Sequence, residues 1–331
     1  MTELNFQSVL DHLLDSKKDI PQGHLQYYSD LDPKSLRLFL DVWKNVPANR
    51  KLLLLDTLTT HLDEDTLVSY EGIGKALLDD ASAEVRTRAL GLLAESDDPV
   101  LVDKILNIFQ ADTDLAPRLQ AARLLGEFVL MGELEELEED RLHKIEEALI
   151  SVIRSDENPT LRRQALEAFG YSGRDEAVAI LESGYEREDP LWVSSALRAM
   201  GRSHDNRWNG SVTAKLLDAD PRIRYAAAEA AGELNIEAAG PILIQMLEDE
   251  EEDDEVTMAA IWAISQIGGE DARAYILSLL ENAEGEDIQE FLEGALENLD
   301  FNEELNKFDL LSLDEDDDLI EFDENFDENE E

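Results

Sequence analysis

Arginine and aromatic residues concentrate in the middle of the sequence, and together they suit the recognition of peptides. Guanidinium groups can form paired hydrogen bonds, and aromatic rings offer rigid contact area. The residues predicted to contact a protein partner in this region are Arg163, Tyr171, Arg198, Arg202, Arg207, Trp208 and Trp262. For Trp208 a second interpretation stays open, in which the indole packs beneath an irregular helix interrupted by Asn209 and Gly210.

The residue types that usually carry catalysis or bind metals show no spacing typical of such sites. The chain has no cysteine, so thiolate ligands and cysteine nucleophiles are excluded. Residues 72–75 (Gly-Ile-Gly-Lys) lack the longer frame of a phosphate-binding loop. The histidines are scattered, at His12, His24, His61, His143 and His204. We therefore predict no catalytic residue, no metal site and no cofactor.

The elements that must position these side chains are copies of one helix, which is clearest at residues 220–232. Asp220 is a typical helix N-cap, and Pro221 suits the first helical position. If Ile223 is position 1, Ala227 is position 5 and Gly232 is position 10. Small residues therefore share one face, which can approach another helix closely.

The same helix returns along most of the chain, each time after another apolar helix. Position 10 falls at residues 94, 126, 170, 201, 232, 265 and 297. A period of about 30 to 45 residues is typical of repeat arrays, in which stacked units bury the face that one unit alone cannot. The sequence predicts an all-α fold, an α-α superhelix of about eight helix pairs. The widest interval, between 126 and 170, indicates an insertion near 132–140.

Two sets of positions in each copy have predicted roles. Arginine recurs at position 2 after an acidic turn, in Arg86, Arg118, Arg162 and Arg224. This favours a ladder of ion pairs between neighbouring repeats, and a basic stripe along the groove is the alternative. Positions 3, 7 and 11 are predicted to face the groove, and they include Arg163, Tyr171, Arg198, Arg202 and Trp262.

The composition is strongly acidic. The chain has 28 Lys and Arg against 78 Asp and Glu, which gives a formal net charge of −50. Such a chain is repelled by phosphate backbones and anionic lipid, so we expect a basic or neutral protein partner and neither nucleic acid nor membrane. Alternatively, the acidity only maintains solubility. No apolar run approaches the roughly 20 residues of a membrane span and the N-terminus does not resemble a signal peptide, so we expect a cytoplasmic protein.

The chain divides into three predicted regions: residues 1–32 as a capping helix and loop, 33–300 as the repeat array, and 301–331 as a tail. The tail holds 15 acids and one lysine, so we expect it to be disordered. Apolar residues interspersed with the acids, including Phe322 and Phe326, are predicted to contact a basic and apolar partner. A tail that only increases solubility is the alternative.

The second helices of the pairs resemble HEAT repeats, in particular the short repeats of the phycobilisome-lyase type. The resemblance rests on Val85-Arg86, Leu161-Arg162 and Ile223-Arg224, each followed by Ala at position 5 and the last two by Gly at position 10. It covers residues 33 to about 299 and implies that the second helices line a concave side. It implies little about activity, because HEAT arrays serve as scaffolds, transport receptors, assembly factors and a few enzymes.

We therefore predict a non-enzymatic interaction scaffold or assembly factor that binds a protein through its concave face and a basic partner through its tail. The alternative is a bilin-lyase-like protein or another enzyme-accessory protein, although no residue set marks a bilin pocket. HEAT-like DNA glycosylases need a basic groove, which this composition opposes. The sequence does not specify the partner, the pathway, the oligomeric state or the curvature.

Overall fold

All regular elements in the described part of the chain are helical. The computed structural model describes residues 5–15, 17–249 and 252–317, and within these ranges it contains α-helices and 3₁₀-helices but no strand. This confirms the predicted all-α class. The chain divides after Ala177 into two compact units.

The first unit contains a short N-terminal helix, a 3₁₀-helix at Gln22–Tyr28 and the helices that follow it. In chain order they are α1 (Phe6–Leu13), α2 (Pro33–Trp43), α3 (Ala48–Glu64), α4 (Glu71–Leu77), α5 (Ala83–Gly91), α6 (Leu101–Ala111), α7 (Leu115–Glu133), α8 (Glu139–Arg154) and α9 (Pro159–Phe169). The N-terminal segment packs through α1 against α2 and buries Leu25 and Tyr28 of the 3₁₀-helix.

The second unit begins within the next helix and extends to the C-terminal helix. Its helices are α10 (Asp175–Tyr185), α11 (Pro190–Arg202), α12 (Asn209–Thr213), α13 (Pro221–Glu233), α14 (Gly240–Leu247), α15 (Asp254–Ile267), α16 (Glu270–Asn282) and α17 (Glu286–Asp317). Short 3₁₀-helices at Asn206–Trp208 and Glu237–Ala239 precede α12 and α14.

From α2 to α17 these helices form the first and second members of eight pairs, which confirms the predicted number. In the first unit the second helices pack in sequence, α3 against α5, α5 against α7, and α7 against α9. In the second unit α11, α13, α15 and α17 do the same. Each unit is therefore a solenoid whose second helices form one continuous layer.

The repeated helix starts are encoded locally. Asp32, Asn158, Asp189 and Asp220 each accept a hydrogen bond from a backbone N–H of the first turn, and proline follows each of them. The side chain satisfies a donor that has no partner within the helix, and proline lacks a donor that would be unpaired there. The Asp-Pro or Asn-Pro pair thus sets where these helices begin.

Glycine at position 10 allows neighbouring second helices to approach closely. A Cβ at Gly201 would lie 3.0 Å from Ala230 Cα, and one at Gly232 would lie 3.0 Å from Ala263 Cα. Contacts this short leave no room for a side chain, so α11, α13 and α15 pack almost backbone to backbone.

The structure differs from the sequence analysis at the insertion and at the tail boundary. The extra residues between 126 and 170 lengthen α7 as well as α8, because α7 continues to Glu133. The C-terminal helix α17 continues past residue 300 to Asp317, and Arg273 contacts Asp300 at 2.6 Å and Glu303 at 2.9 Å. The predicted boundary at residue 300 therefore lies inside a helix, while 318–331 fall outside the described residues.

Across the described ranges, no helix has the length and apolarity to cross a membrane.

Candidate protein-binding face

Positions 3, 7 and 11 of three neighbouring second helices form one surface of the second unit, which we call the second-helix face. Its residues are Arg198 and Arg202 of α11, Tyr225, Glu229 and Glu233 of α13, and Met258, Trp262 and Gln266 of α15, whereas Ser194 at position 3 of α11 is buried. The helices that carry them pack side by side, because the small residues between these positions are buried. The solenoid thus brings together residues that lie more than sixty positions apart in the sequence.

The positive charge predicted on α11 is balanced by carboxylates of α13. Arg198 Nε lies 2.9 Å from Glu229 Oε2, and both side chains are 31% exposed. The Arg198 guanidinium also lies 5.5 Å from the Tyr225 ring centroid, within the range of a cation–π contact. Burial and a hydrogen bond to Glu229 raise the pKa of Tyr225. This part of the face is therefore a paired polar network rather than a basic patch.

Glu233 is the most perturbed carboxyl on the face. Burial raises its pKa to about 7, and the nearby positive charge of Arg202 opposes this shift only in part. Its Oε2 atom is buried and has no hydrogen-bond partner. The carboxyl occupies the space that a side chain at Gly201 would fill, so the close approach of α11 and α13 is what removes it from water.

The α15 end of the face is apolar and exposed. Met258 is 50% exposed and Trp262 is 42% exposed, one helical turn apart. The opposite side of the same helix buries Ala260 and Ile264 completely. Met258 and Trp262 therefore form an apolar pair that the second unit itself does not cover.

The other predicted contact residues lie elsewhere. Arg163 and Tyr171 are half-buried residues of the first unit, where Arg163 Nη2 donates to Thr160 Oγ1 at 3.3 Å. Arg207 is exposed and forms an ion pair with Asp205 in its own loop. Phe322 and Phe326 fall outside the described residues.

Trp208 requires a correction. It is only 5% exposed, so its ring belongs to the core beneath α12 and cannot contact a partner from this position. The physical reason is that Trp208 ends a 3₁₀-helix and directly precedes the five-residue α12, so it belongs to a helical segment rather than an open loop, and burial of its large apolar ring is favourable. The alternative interpretation of this residue, packing beneath an irregular helix, is confirmed.

Tyr225, Glu229, Glu233 and Met258 were missed by the sequence analysis. A signal for them exists, since they occupy the same groove-facing positions in the copies on α13 and α15. Arginine and aromatic residues are conspicuous in this composition, whereas the acids that α13 places opposite Arg198 are a few among 78 and carry no distinguishing pattern.

Three of the four arginines at position 2 form the predicted ladder between repeats, and Arg162 Nε donates to the Ile153 carbonyl at 3.0 Å. Arg86 Nη2 lies 2.7 Å from Asp112 Oδ1 of the next repeat, and Arg118 contacts Glu157 at 3.0 Å. Arg224 pairs in the same way with Glu252. These three arginines therefore form structural ion pairs between repeats. This confirms the predicted ladder for them and does not support a basic stripe along the groove.

The described residues contain no group of three or more His, Cys, Asp or Glu side chains arranged to hold a metal ion. The adjacent serines of α11 are buried, and the Ser194 hydroxyl donates to the Arg222 carbonyl at 3.0 Å. This hydroxyl links α11 to α13 through a structural hydrogen bond.

Comparison with known proteins agrees with this architecture. Residues 146–208 and 210–297 match the family model of HEAT repeats. No curated protein matches the chain. The structure defines an α-helical repeat protein of the solenoid class. Within it, the helix pairs of residues 146–297 are HEAT repeats.

Several solved structures are similar in fold. One is the complex of CpcE and CpcF of phycocyanin lyase from Nostoc sp. PCC7120, at 17% identity and a TM-score of 0.46, covering 70% of this chain and 94% of that chain. Another is Kap95p with RanGDP, at 14% identity and a TM-score of 0.48, covering 89% of this chain and 45% of that chain. A third is human deoxyhypusine hydroxylase, at 17% identity and a TM-score of 0.33, covering 79% and 95%.

Proposed function

We propose that this protein is a non-enzymatic HEAT-repeat scaffold that binds another protein through the second-helix face. The observation that carries the proposal is the exposed pair of Met258 and Trp262 on α15. Tryptophan is enriched among the residues that dominate the free energy of protein association, and methionine adapts to irregular partner surfaces.

The polar part of the face complements this apolar pair. The Arg198–Glu229 ion pair and the Tyr225 ring lie on α11 and α13 of the same face, so the face combines an apolar end with polar groups, as protein interfaces do. The formal net charge of −50 favours association with a neutral or basic surface and disfavours phosphate-rich partners. An assembly factor for a basic protein is the version of the scaffold that this charge supports best.

The experiment compares proteins captured from the native host by the full chain and by variants. Trp262→Ala removes the large ring at the apolar end of the proposed interface. Leu277→Ala is the matched control, because Leu277 is 44% exposed on α16 and does not belong to the second-helix face. The captured partner is then purified and its Kd measured against each chain.

We expect Trp262→Ala to weaken binding of the purified partner by about thirtyfold or more, since removing a buried interface tryptophan costs about 2 kcal/mol or more. Leu277→Ala is expected to bind as the wild type does. Binding of the partner to a chain that ends at Asp317 is measured as well. If truncation abolishes binding while Trp262→Ala leaves it unchanged, the contact lies in the C-terminal segment and the proposed face is wrong.

A further inference from the structure

A cleft of about 940 Å³ lies on the first-helix side of the second unit. It is lined by α14, the C-terminal end of α15 and α16, and none of its lining residues belongs to the second-helix face. The chain passes between α15 and α16 through Gly268 and Gly269, whose φ angles of 74° and 98° suit glycine. The cleft is therefore a second concave surface, built where two consecutive glycines turn the chain.

The floor of the cleft is apolar. Ile264 is fully buried beneath it, and Ile244, Ile267 and Tyr275 line it as half-buried side chains. Burial raises the pKa of the Tyr275 hydroxyl, with a further contribution from the negative charge of Glu248. A volume of about 940 Å³ lies at the upper end of the roughly 300 to 1,000 Å³ of ligand pockets.

The rim of the cleft is acidic. Glu237, Glu270 and Asp271 line it as exposed residues, and no lysine or arginine is among its lining residues. The nearest arginine on α16, Arg273, is paired with Asp300 and Glu303, so the three rim carboxylates leave a negative potential that attracts positive groups. Lysine and arginine can lay their aliphatic stems on apolar surface while the charged head reaches a polar rim.

We propose that this cleft binds a short basic and apolar peptide segment of a partner protein. Aliphatic side chains of the segment pack on Ile244 and Ile267, and its cationic heads pair with Glu270 and Asp271. The size of the cleft favours several consecutive side chains over a single small amine. This site does not depend on the second-helix face, and either surface can bind without the other.

The test uses the full chain and a dansyl-labelled Leu-Arg-Leu-Leu-Arg-Leu peptide, with binding followed by fluorescence anisotropy at about 0.15 M salt. Two changes act on the cleft. Ala274→Trp fills it from an exposed position of α16, and the double change Glu270→Gln with Asp271→Asn removes two of the three rim carboxylates.

The matched control is Glu286→Gln with Asp287→Asn. These acids occupy the first turn of α17, as Glu270 and Asp271 occupy the first turn of α16, and they do not line the cleft. Both double variants remove the same charge from the same unit, so they separate a local site from general attraction to an acidic protein.

We expect each cleft variant to weaken peptide binding by about tenfold, which corresponds to about 1.4 kcal/mol. The α17 control is expected to bind the labelled peptide as the wild type does. A neutral Leu-Gln-Leu-Leu-Gln-Leu peptide is titrated with the wild type as well, and its affinity is expected to be no higher than the affinity of the cleft variants for the basic peptide. Equal weakening by the two charge variants would overturn the proposal, because it would indicate diffuse attraction. Should circular dichroism show that Ala274→Trp does not fold, Ser278→Trp on the same helix replaces it, and unchanged binding by the folded variant contradicts the site.

Discussion

At the scale of single residues, Glu233 shows how close helix packing changes the chemistry of a side chain. The approach of α11 to α13 removes its carboxyl from water and leaves Oε2 without a hydrogen-bond partner. An ionised carboxylate in this position lacks the solvation that stabilises it in the unfolded chain. Its pKa therefore rises from the ordinary value of 4.5 to about 7.

This raised pKa predicts a pH-dependent cost to stability. Below about pH 4.5 the carboxyl is protonated in both states and the cost is absent. Between 4.5 and about 7 the unfolded chain ionises while the folded protein holds its proton, so stability falls as pH rises, and the cost is complete above the folded pKa. A shift of this size corresponds to about 3 kcal/mol.

We expect Glu233→Gln to be more stable than the wild type by about 2 to 3 kcal/mol at about pH 8, and to lose most of this advantage at about pH 4. Urea unfolding followed by circular dichroism across this pH range measures the difference. Glu290→Gln is the control, since Glu290 is exposed on α17. A constant difference between Glu233→Gln and wild type at all pH values would contradict the prediction.

At the scale of elements, the position-2 arginines connect one helix pair to the next. Arg86 and Asp112 are 13% and 7% exposed at the side chain, and their atoms lie 2.7 Å apart. Asp112 also accepts a hydrogen bond from the Asp114 backbone N–H at 2.9 Å. Burial is the largest single influence on the pKa of Asp112 and raises it, but the hydrogen bonds from Arg86 and Asp114 and the nearby positive charges together outweigh it, so the pKa lies below the ordinary value. The ion pair thus belongs to the interface between two repeats.

We expect Arg86→Leu to destabilise the protein by about 3 kcal/mol, because it leaves the Asp112 carboxylate buried without its cation. Arg222→Leu is the matched control. Arg222 also pairs with an aspartate, but its side chain is 56% exposed, so its loss is expected to destabilise the protein much less than the loss of Arg86. Urea midpoints of the two variants provide the comparison, and similar losses would show that the ladder is not a structural link.

At the scale of the whole molecule, the formal net charge of −50 opposes compaction. Folding brings these charges closer together, and dissolved salt screens their repulsion over about 10 Å at 0.1 M. Salt also weakens the ion pairs between repeats. Because the buried pairs are screened less than exposed charges, the effect on repulsion is expected to dominate.

We therefore expect the melting temperature to rise when sodium chloride is increased from about 0.01 M to about 1 M. Differential scanning calorimetry measures the change. A parallel series in choline chloride shows that screening is responsible, since a different monovalent cation should produce a similar shift. A melting temperature that falls with salt would mean that the ion-pair ladder outweighs the net repulsion.

The sequence by itself determined the helices, their pairing and their number. Asp220 with Pro221 starts a helix through contacts within one turn, and Gly232 at a fixed position marks where the next helix must come close. These features depend on neighbours a few residues away, so a repeat of about 30 residues makes them visible without coordinates. The same local logic predicted the pairing of Arg86 with the acidic turn of the next repeat.

Only the tertiary structure decided which side chains of different helices meet. Arg198 faces Glu229, Trp208 is buried rather than exposed, and the cleft beside Gly268 combines residues of α14, α15 and α16. Each outcome depends on the lateral register of packed helices and on small differences in helix length, such as the short α12. A repeat pattern specifies that helices stack, whereas the contacts made by long side chains across the stack follow from the packing itself.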